Sequence, residues 1–237
     1  MCFRTLNLKR AALALAVLLA LFMAPARATD LDDFNAAVEA AMSHHRVAAG
    51  YLRTGNIDLA ALEIDGMREA WAKVSTLPRP TAFQNRERYT AIMLETAAEL
   101  IGTTLVLNMG RPDVAAESLD KIRKSLSRLR HDNNVAVLAD CVLDANVSMD
   151  ALFALDGKAD WESLSAGAES YRGTLQRCDG MASERLRRDG EFRRLIDGAL
   201  ASLAQVPKAI ETRDADLLHR LLIELRSFDN LLAFRFG

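Results

Sequence analysis

Beyond residue 30, apolar side chains return every three or four positions along nearly the whole chain, and no stretch alternates apolar with polar residues over the length of a strand. A period near 3.6 lays such side chains along one face of an α-helix, so each segment is predicted to be amphipathic and to bury that face. Eight segments follow in order. The first carries Leu31, Phe34, Val38, Met42, His45, Ala49 and Leu52, and the second Ala60, Ile64, Met67, Trp71 and Val74. The third has the least regular stripe, with Tyr89, Met93, Leu100, Thr103 and Leu107; the fourth carries Leu119, Ile122, Leu126 and Leu129. The fifth carries Val135, Leu138, Val142, Ala145, Met149 and Leu152, and the sixth Trp161, Leu164, Ala168, Tyr171, Leu175 and Cys178. The seventh runs through Phe192, Ile196, Ala199, Leu203, Val206 and Ile210, and the eighth through Leu218, Leu221, Leu225, Phe228 and Leu232. The fold class read from this pattern is all-α.

The polar stretches between the segments hold helix-ending and helix-starting chemistry. Thr54-Gly55-Asn56 puts a glycine past one helix and an N-cap before Ile57. Gly110-Arg111-Pro112 puts Gly after one helix and Pro at the start of the next. Pro78-Arg79-Pro80 is a firm break, and Thr81 with Gln84 reads as a capping box opening the third helix. His131-Asp132-Asn133, Gly157 with Asp160, Asp179-Gly180 and Asp214 mark the remaining boundaries. Three turns share a pattern, Gly55-Asn56-Ile57-Asp58, Gly110-Arg111-Pro112-Asp113 and Gly157-Lys158-Ala159-Asp160; Arg213-Asp214-Ala215-Asp216 keeps the acid without the glycine. Gly55 to Gly157 is 102 residues and Gly110 to Arg213 is 103. This spacing predicts two tandem four-helix up-down bundles, residues 29–131 and 132–237, each long enough for its own core. One continuous solenoid of helical hairpins is the alternative architecture.

The start of the chain changes the charge picture. Arg4, Lys9 and Arg10 precede an apolar run over residues 11–23, and Ala24-Pro25-Ala26-Arg27-Ala28 offers small residues in the A-x-A pattern. This predicts a secretory signal peptide, residues 1–28, cleaved after Ala28, and a periplasmic or secreted protein. The run falls short of the ~20 residues that span a bilayer, so no membrane insertion is expected after cleavage. Cleavage removes four basic residues (Arg4, Lys9, Arg10, Arg27) and no acidic one, taking the net charge from −2 to −6. An acidic body repels nucleic acid and anionic lipid, so neither is an expected partner. With 50% hydrophobic residues and 3 Cys, the chain is neither disordered nor a disulfide scaffold.

Candidate chemistry is sparse. Cys141 and Cys178 remain after cleavage, and an even count in an exported chain predicts one disulfide between them. A hairpin turning at Gly157 would place Thr174, one helical turn away, opposite Cys141. Met42 and His45 lie on the stripe of the first helix and His131 ends the fourth, and an up-down bundle brings the start of one near the end of the other. Such a set would suit non-covalent haem or copper; hydrogen-bonded core roles for the same residues are the plainer reading. His44 points about 100° away from His45, and Glu95 with Glu99 lack the Glu-x-x-His companion of di-iron bundles. No G-x-S-x-G, H-E-x-x-H, Walker loop or C-x-x-C occurs, so a non-enzymatic role is expected. The basic clusters around Arg123, Lys124, Arg128 and Arg130, and around Arg185 to Arg194, read as solvated helix faces. Phe228, Leu231, Leu232, Phe234 and Phe236 are apolar on more than one side, which implies burial between the bundles or a homodimer contact.

The last hairpin, Asp214-Ala215-Asp216-Leu217-Leu218 to Phe234-Arg235, resembles the final helix of exported cytochrome c prime type bundles, where a Gly-Asp helix start leads to C-x-x-C-H-x-x-F-R. Aligned on Phe234-Arg235, the thioether cysteines of that motif fall on Ser227 and Asn230 and the axial histidine on Leu231. The resemblance therefore implies a four-helix bundle without covalent haem, and its electron transfer does not carry over. The function expected is binding of a periplasmic protein partner or small ligand, with a haem- or metal-binding bundle using Met42, His45 and His131 as the alternative.

Overall fold

The computed structural model describes residues 29–237; the segment read as a signal peptide, residues 1–28, lies outside them. Among the described residues the chain is helical throughout, with eight helices of 14 residues or more, two short ones and no strand. The first four are α1 (Asp30–Arg53), α2 (Ile57–Thr76), α3 (Arg86–Asn108) and α4 (Pro112–His131). The second half contains α5 (Leu138–Phe153), α6 (Trp161–Met181), the short α7 (Glu184–Arg187), α8 (Gly190–Leu203), the short α9 (Val206–Glu211) and α10 (Ala215–Phe236).

Each half closes on itself. α1 and α3 each pack on both α2 and α4, and α5 and α8 each pack on both α6 and α10. Successive helices run up and down, so these are two four-helix bundles. Their buried side chains form two separate clusters, one from Phe34 to Leu129 and the other from Cys141 to Leu232. A solenoid would instead carry one continuous core.

The buried faces of the two bundles run in register. Ala60, Ile64, Met67, Trp71 and Val74 of α2 recur 104 positions later as Leu164, Ala168, Tyr171, Leu175 and Cys178 of α6, all buried. Ala115, Leu119, Ile122, Leu126 and Leu129 of α4 recur 103 positions later as Leu218, Leu222, Leu225, Asp229 and Leu232 of α10. The same 103-residue step takes Tyr89, Ile92, Met93, Thr96 and Leu100 of α3 to Phe192, Leu195, Ile196, Ala199 and Leu203 of α8.

That register corrects the reading of one turn. The counterpart of Gly55 is Ala159 rather than Gly157, because α2 begins at Ile57 and α6 at Trp161. Gly55 has φ 76° and Ala159 φ 54°; Gly110 has φ 72° and its counterpart Arg213 φ 53°. These four turns, each at the middle of one of the helical hairpins compared, thus pass through the left-handed region, but only two of these positions hold the residue that adopts it without strain. In three of them the Schellman pair of bonds closes the helix, as in Asn56 N–H to Tyr51 O, Arg111 to Val106 and Asp214 to Ala209.

Two other expectations change. Residues 81 to 84 form no capping box: Asn85 caps α3, accepting from Arg88 N at 2.9 Å. The Thr81 and Gln84 amides instead donate to Asp30 at 2.7 Å and Asn133 at 3.1 Å, while the buried Phe83 plugs the bundle end against Phe34 and Tyr89. The seventh segment is split into α8 and α9. Pro207 has no N–H to give the Leu203 carbonyl, so the ladder stops there. Arg172 on α6 supplies the missing donor, Nη2 to Leu203 O at 2.8 Å.

The predicted disulfide is formed, with Cys141 and Cys178 Cα atoms 5.5 Å apart. The hairpin register differs from a turn at Gly157. α5 stops at Phe153, residues 154–160 carry the chain round, and Leu152 faces Gly167, where an added Cβ would sit 3.1 Å from Leu152 Cδ1. Moving eleven residues away from that contact along each helix pairs Cys141 with Cys178. Thr174 is still close, its carbonyl 3.8 Å from Cys141 Sγ.

Candidate functional site

The bundles meet where α1 and α10 touch, and glycine sets how closely. A Cβ on Gly50 would lie 3.2 Å from Phe234 Cε2, so a bare backbone in α1 admits that ring. Phe236 stacks edge-on against Phe192 at 5.2 Å. Much of the apolar surplus of the last helix is therefore used between and within the bundles, although Leu231 stays exposed. Polar side chains staple the same junction. Arg46 donates to Gly237 O at 2.7 Å and to Glu39. Arg130, buried near the end of α4, grips Asp140 at the start of α5 with two bonds of 2.7 and 2.6 Å. The reading of Arg130 as a solvated residue is thereby corrected: a planar fork matched to one carboxylate can be buried.

Two cavities flank Gly237 along this junction. One, of about 150 Å³, is bordered by His45, Arg46, Arg53, Asp120, Arg123 and Asn146, with Ala49, Ala233 and Phe234 as apolar wall. The other, of about 320 Å³, is bordered by Asn35, Glu39, Met42, Arg123, Arg130 and Arg235, with Val38, Leu138 and Phe236. Five arginines and three carboxylates line the two cavities. Arg46, Arg123 and Arg130 are paired with Glu39, Asp120 and Asp140, and Arg235 with Glu191, so Arg53 is the arginine of the cleft without an ion pair among the described residues. Arg123 borders both cavities and is held by Asp120 at 2.9 Å.

Two buried acceptors at the cleft have no partner, His45 Nδ1 and Asn35 Oδ1. His45 lies on the inner face of α1, and its other nitrogen meets Leu119 O at 2.9 Å. A carbonyl only accepts, so Nε2 carries the proton and Nδ1 presents a lone pair. Burial pushes the imidazole pKa down to about 4, which keeps the ring neutral at ordinary pH.

Across the cleft, Asn146 reaches from the cavity wall into the second bundle and donates to Asp229 Oδ2 at 2.7 Å. Tyr171 OH donates to Asp229 Oδ1 at 3.3 Å. Burial pushes the Asp229 pKa up to about 6, against those two bonds and the nearby Arg226 charge. Burial next to Asp229 also raises the Tyr171 pKa, so its hydroxyl stays protonated.

The residues singled out from sequence separate in space. Met42 borders one cavity and His45 the other. Leu119, not His131, lies across from His45; His131 is twelve residues further along α4, about 18 Å at 1.5 Å per residue, and is exposed. His44 pairs with Glu63 at 2.7 Å over Gly66, where a Cβ would strike the ring. Glu99 is taken by Lys121 at 2.7 Å, which holds its pKa down, and His219 pairs with Asp156 at 2.6 Å. Ser227, Asn230 and Leu231 all lie on the exposed face of α10. No three His, Cys, Asp or Glu side chains converge as a metal-ligand group among the described residues. The Asn146–Asp229–Tyr171 cluster was missed. One signal was available, an Asp inside the apolar stripe Leu225, Leu232. Comparison with known protein families, with curated proteins and with solved structures finds no match to this chain.

Proposed function

We propose that this chain is an exported, non-enzymatic helical binding protein that holds a small polar anion in the cleft between its bundles. The observation that carries the reading is the pair of cavities around Gly237, bordered by five arginines, of which Arg53 has no ion pair among the described residues, and by two unpartnered acceptors. Guanidinium groups suit carboxylate or phosphate, and the one free acceptor at each cavity, His45 in the smaller and Asn35 in the larger, suits a hydroxyl or amine donor. Small-ligand sites are typically concave, with a few convergent polar groups on a mostly apolar wall.

The test is a thermal-shift screen of the purified protein against hydroxy-acids, amino acids and sugar phosphates. A hit should raise the melting temperature in a concentration-dependent way and be lost in Arg123→Ala. No shift with any such compound would sink the anion reading. Mass spectrometry of protein recovered from the periplasm should give a chain beginning at Thr29, and an uncleaved cytoplasmic chain would overturn export. A Soret band or stoichiometric copper in that material would favour the haem or metal alternative through Met42 and His45.

A further inference from the structure

α3 is apolar on two sides. Its inner side fills the first bundle, while Leu94, Ala98, Ile101, Gly102, Leu105 and Met109 run down its outer side. At 100° per residue these six positions fit within an arc of about 100°. The four large ones are 55 to 76% exposed, and Leu59 and Leu62 are exposed on the antiparallel neighbour α2. Six of the ten exposed large hydrophobics among the described residues therefore sit on this one hairpin, a concentration that single surface leucines do not produce.

We propose that this face pairs with the same face of a second copy of the chain, antiparallel, about a two-fold axis passing between Ile101 and Gly102. The stripe is its own complement in that arrangement. Leu94 meets Met109 of the other copy, the small Ala98 meets the large Leu105, and Ile101 meets the bare backbone of Gly102. Large opposite small is how helices interdigitate, and an isologous pairing needs each contact to occur twice. Gly102 is compatible with the same arrangement, although Gly173 and Gly180 of α6 are equally open. A Cβ on Gly102 would touch nothing within the chain, yet glycine weakens a helix interior, so packing inside the subunit does not account for it.

Size and charge also favour a second copy. Covering the six large side chains would bury roughly 700 Å² per copy, near the ~800 Å² per partner of a standard interface. The polar residues beside the stripe carry both signs, Arg88 with Glu95 and Glu99, the last paired with Lys121, whereas a helix lying on a membrane carries mainly lysine and arginine there. α3 does contain an 18-residue window of mean hydropathy 1.4, so a lipid surface is the competing occupant.

Sedimentation equilibrium of the purified protein should give twice the chain mass. Ile101→Glu should weaken self-association roughly 100-fold while keeping the helical circular dichroism of the wild type. Ala98→Leu, at an exposed site that leaves the fold intact, should also give monomers, and adding Leu105→Ala should restore the pair. A monomeric wild type at about 100 μM overturns the proposal. So does an Ile101→Glu protein that still pairs, or a double variant without rescue. Wild type that is monomeric but floats with phosphatidylcholine vesicles overturns it in favour of lipid.

Discussion

In the first bundle Met42, Met67 and Leu126 are buried apolar residues; at the corresponding positions of the second stand Asn146, Tyr171 and Asp229, a hydrogen-bonded cluster. The step from Met42 to Asn146 is 104, as from Met67 to Tyr171, and from Leu126 to Asp229 it is 103. The same register puts Cys141 and Cys178 where the first bundle has Ala37 and Val74. It also puts the buried His45 opposite Met149. One helical scaffold thus carries two interiors, one whose buried polar residues are His45, Thr96, Thr103 and, at its end, Arg130, the other holding an acid and a covalent cross-link. The difference shows that the period fixes which positions are buried, while a carboxylate placed at one of them comes with donors from neighbouring helices. Asp229 is acceptable because Asn146 and Tyr171 both donate to it.

The largest break of that comparison is Leu126→Asp. Met42 and Met67 offer no donors, so an unpaired carboxylate would be buried, destabilising the first bundle by about 5 kcal/mol. Trp71 lies in the first bundle and Trp161 in the second, so urea melts of Trp71→Phe and Trp161→Phe backgrounds report each bundle separately. If both bundles tolerate the acid equally, the cluster is not what makes Asp229 acceptable.

Next in size is the cross-link. Replacing Cys141 and Cys178 with Ala and Val, the residues of the first bundle, should cost about 4 kcal/mol in the chain-entropy account, with the Trp161 signal moving and the Trp71 signal unmoved. A common shift of both signals would show that the bundles unfold as one unit.

Asp229→Asn should then stabilise the protein by up to about 3 kcal/mol above pH 7. The sign follows from burial, which lifts the folded-state pKa from 3.8 to about 6. The unfolded chain ionises first, so this group costs nothing below pH 4 and destabilises progressively as pH rises through 6. An Asn keeps both bonds, accepting from Asn146 and donating to the Tyr171 oxygen. His45 has the opposite slope. Its pKa falls from 6.5 to about 4, so its contribution is complete above 6.5 and is lost on acidification towards 4. Asp229→Asn should therefore steepen acid destabilisation between pH 6.5 and 4, and His45→Leu should flatten it. Melts across that range with no such divergence would mean that the two groups are not buried as described.

The smallest effect tests the turns. Arg213→Gly should gain roughly 0.5–1 kcal/mol by relieving a left-handed residue, and Gly110→Ala should lose about as much. Equal melting temperatures for wild type and Arg213→Gly would place that residue outside the left-handed region.

The helices were legible because burial of one face imposes a period, and Gly55, Gly110, Asp160 and Asp214 carry turn and cap chemistry within a few residues of themselves. The reading failed where the deciding partner is distant in sequence. Asp30 and Asn133 bind the amides of residues 81 and 84, so the capping box never forms; Arg172 satisfies Leu203, so the helix can break at Pro207. The site followed the same rule. Met42 and His45 were found from their positions on a stripe, but the convergence with His131 failed because α1 meets α4 at Leu119.

By itself the sequence determined the all-α class, the helix boundaries to within a few residues and the pairing of two similar halves, since each follows from local periodicity and turn stereochemistry. Only the tertiary structure decided the hairpin register that joins Cys141 to Cys178, the burial of Arg130 against Asp140, the cleft around Gly237 and the donors that surround Asp229. Those depend on how far each helix slides along its neighbour, a quantity set by packing across the bundle and not by any single stretch of chain.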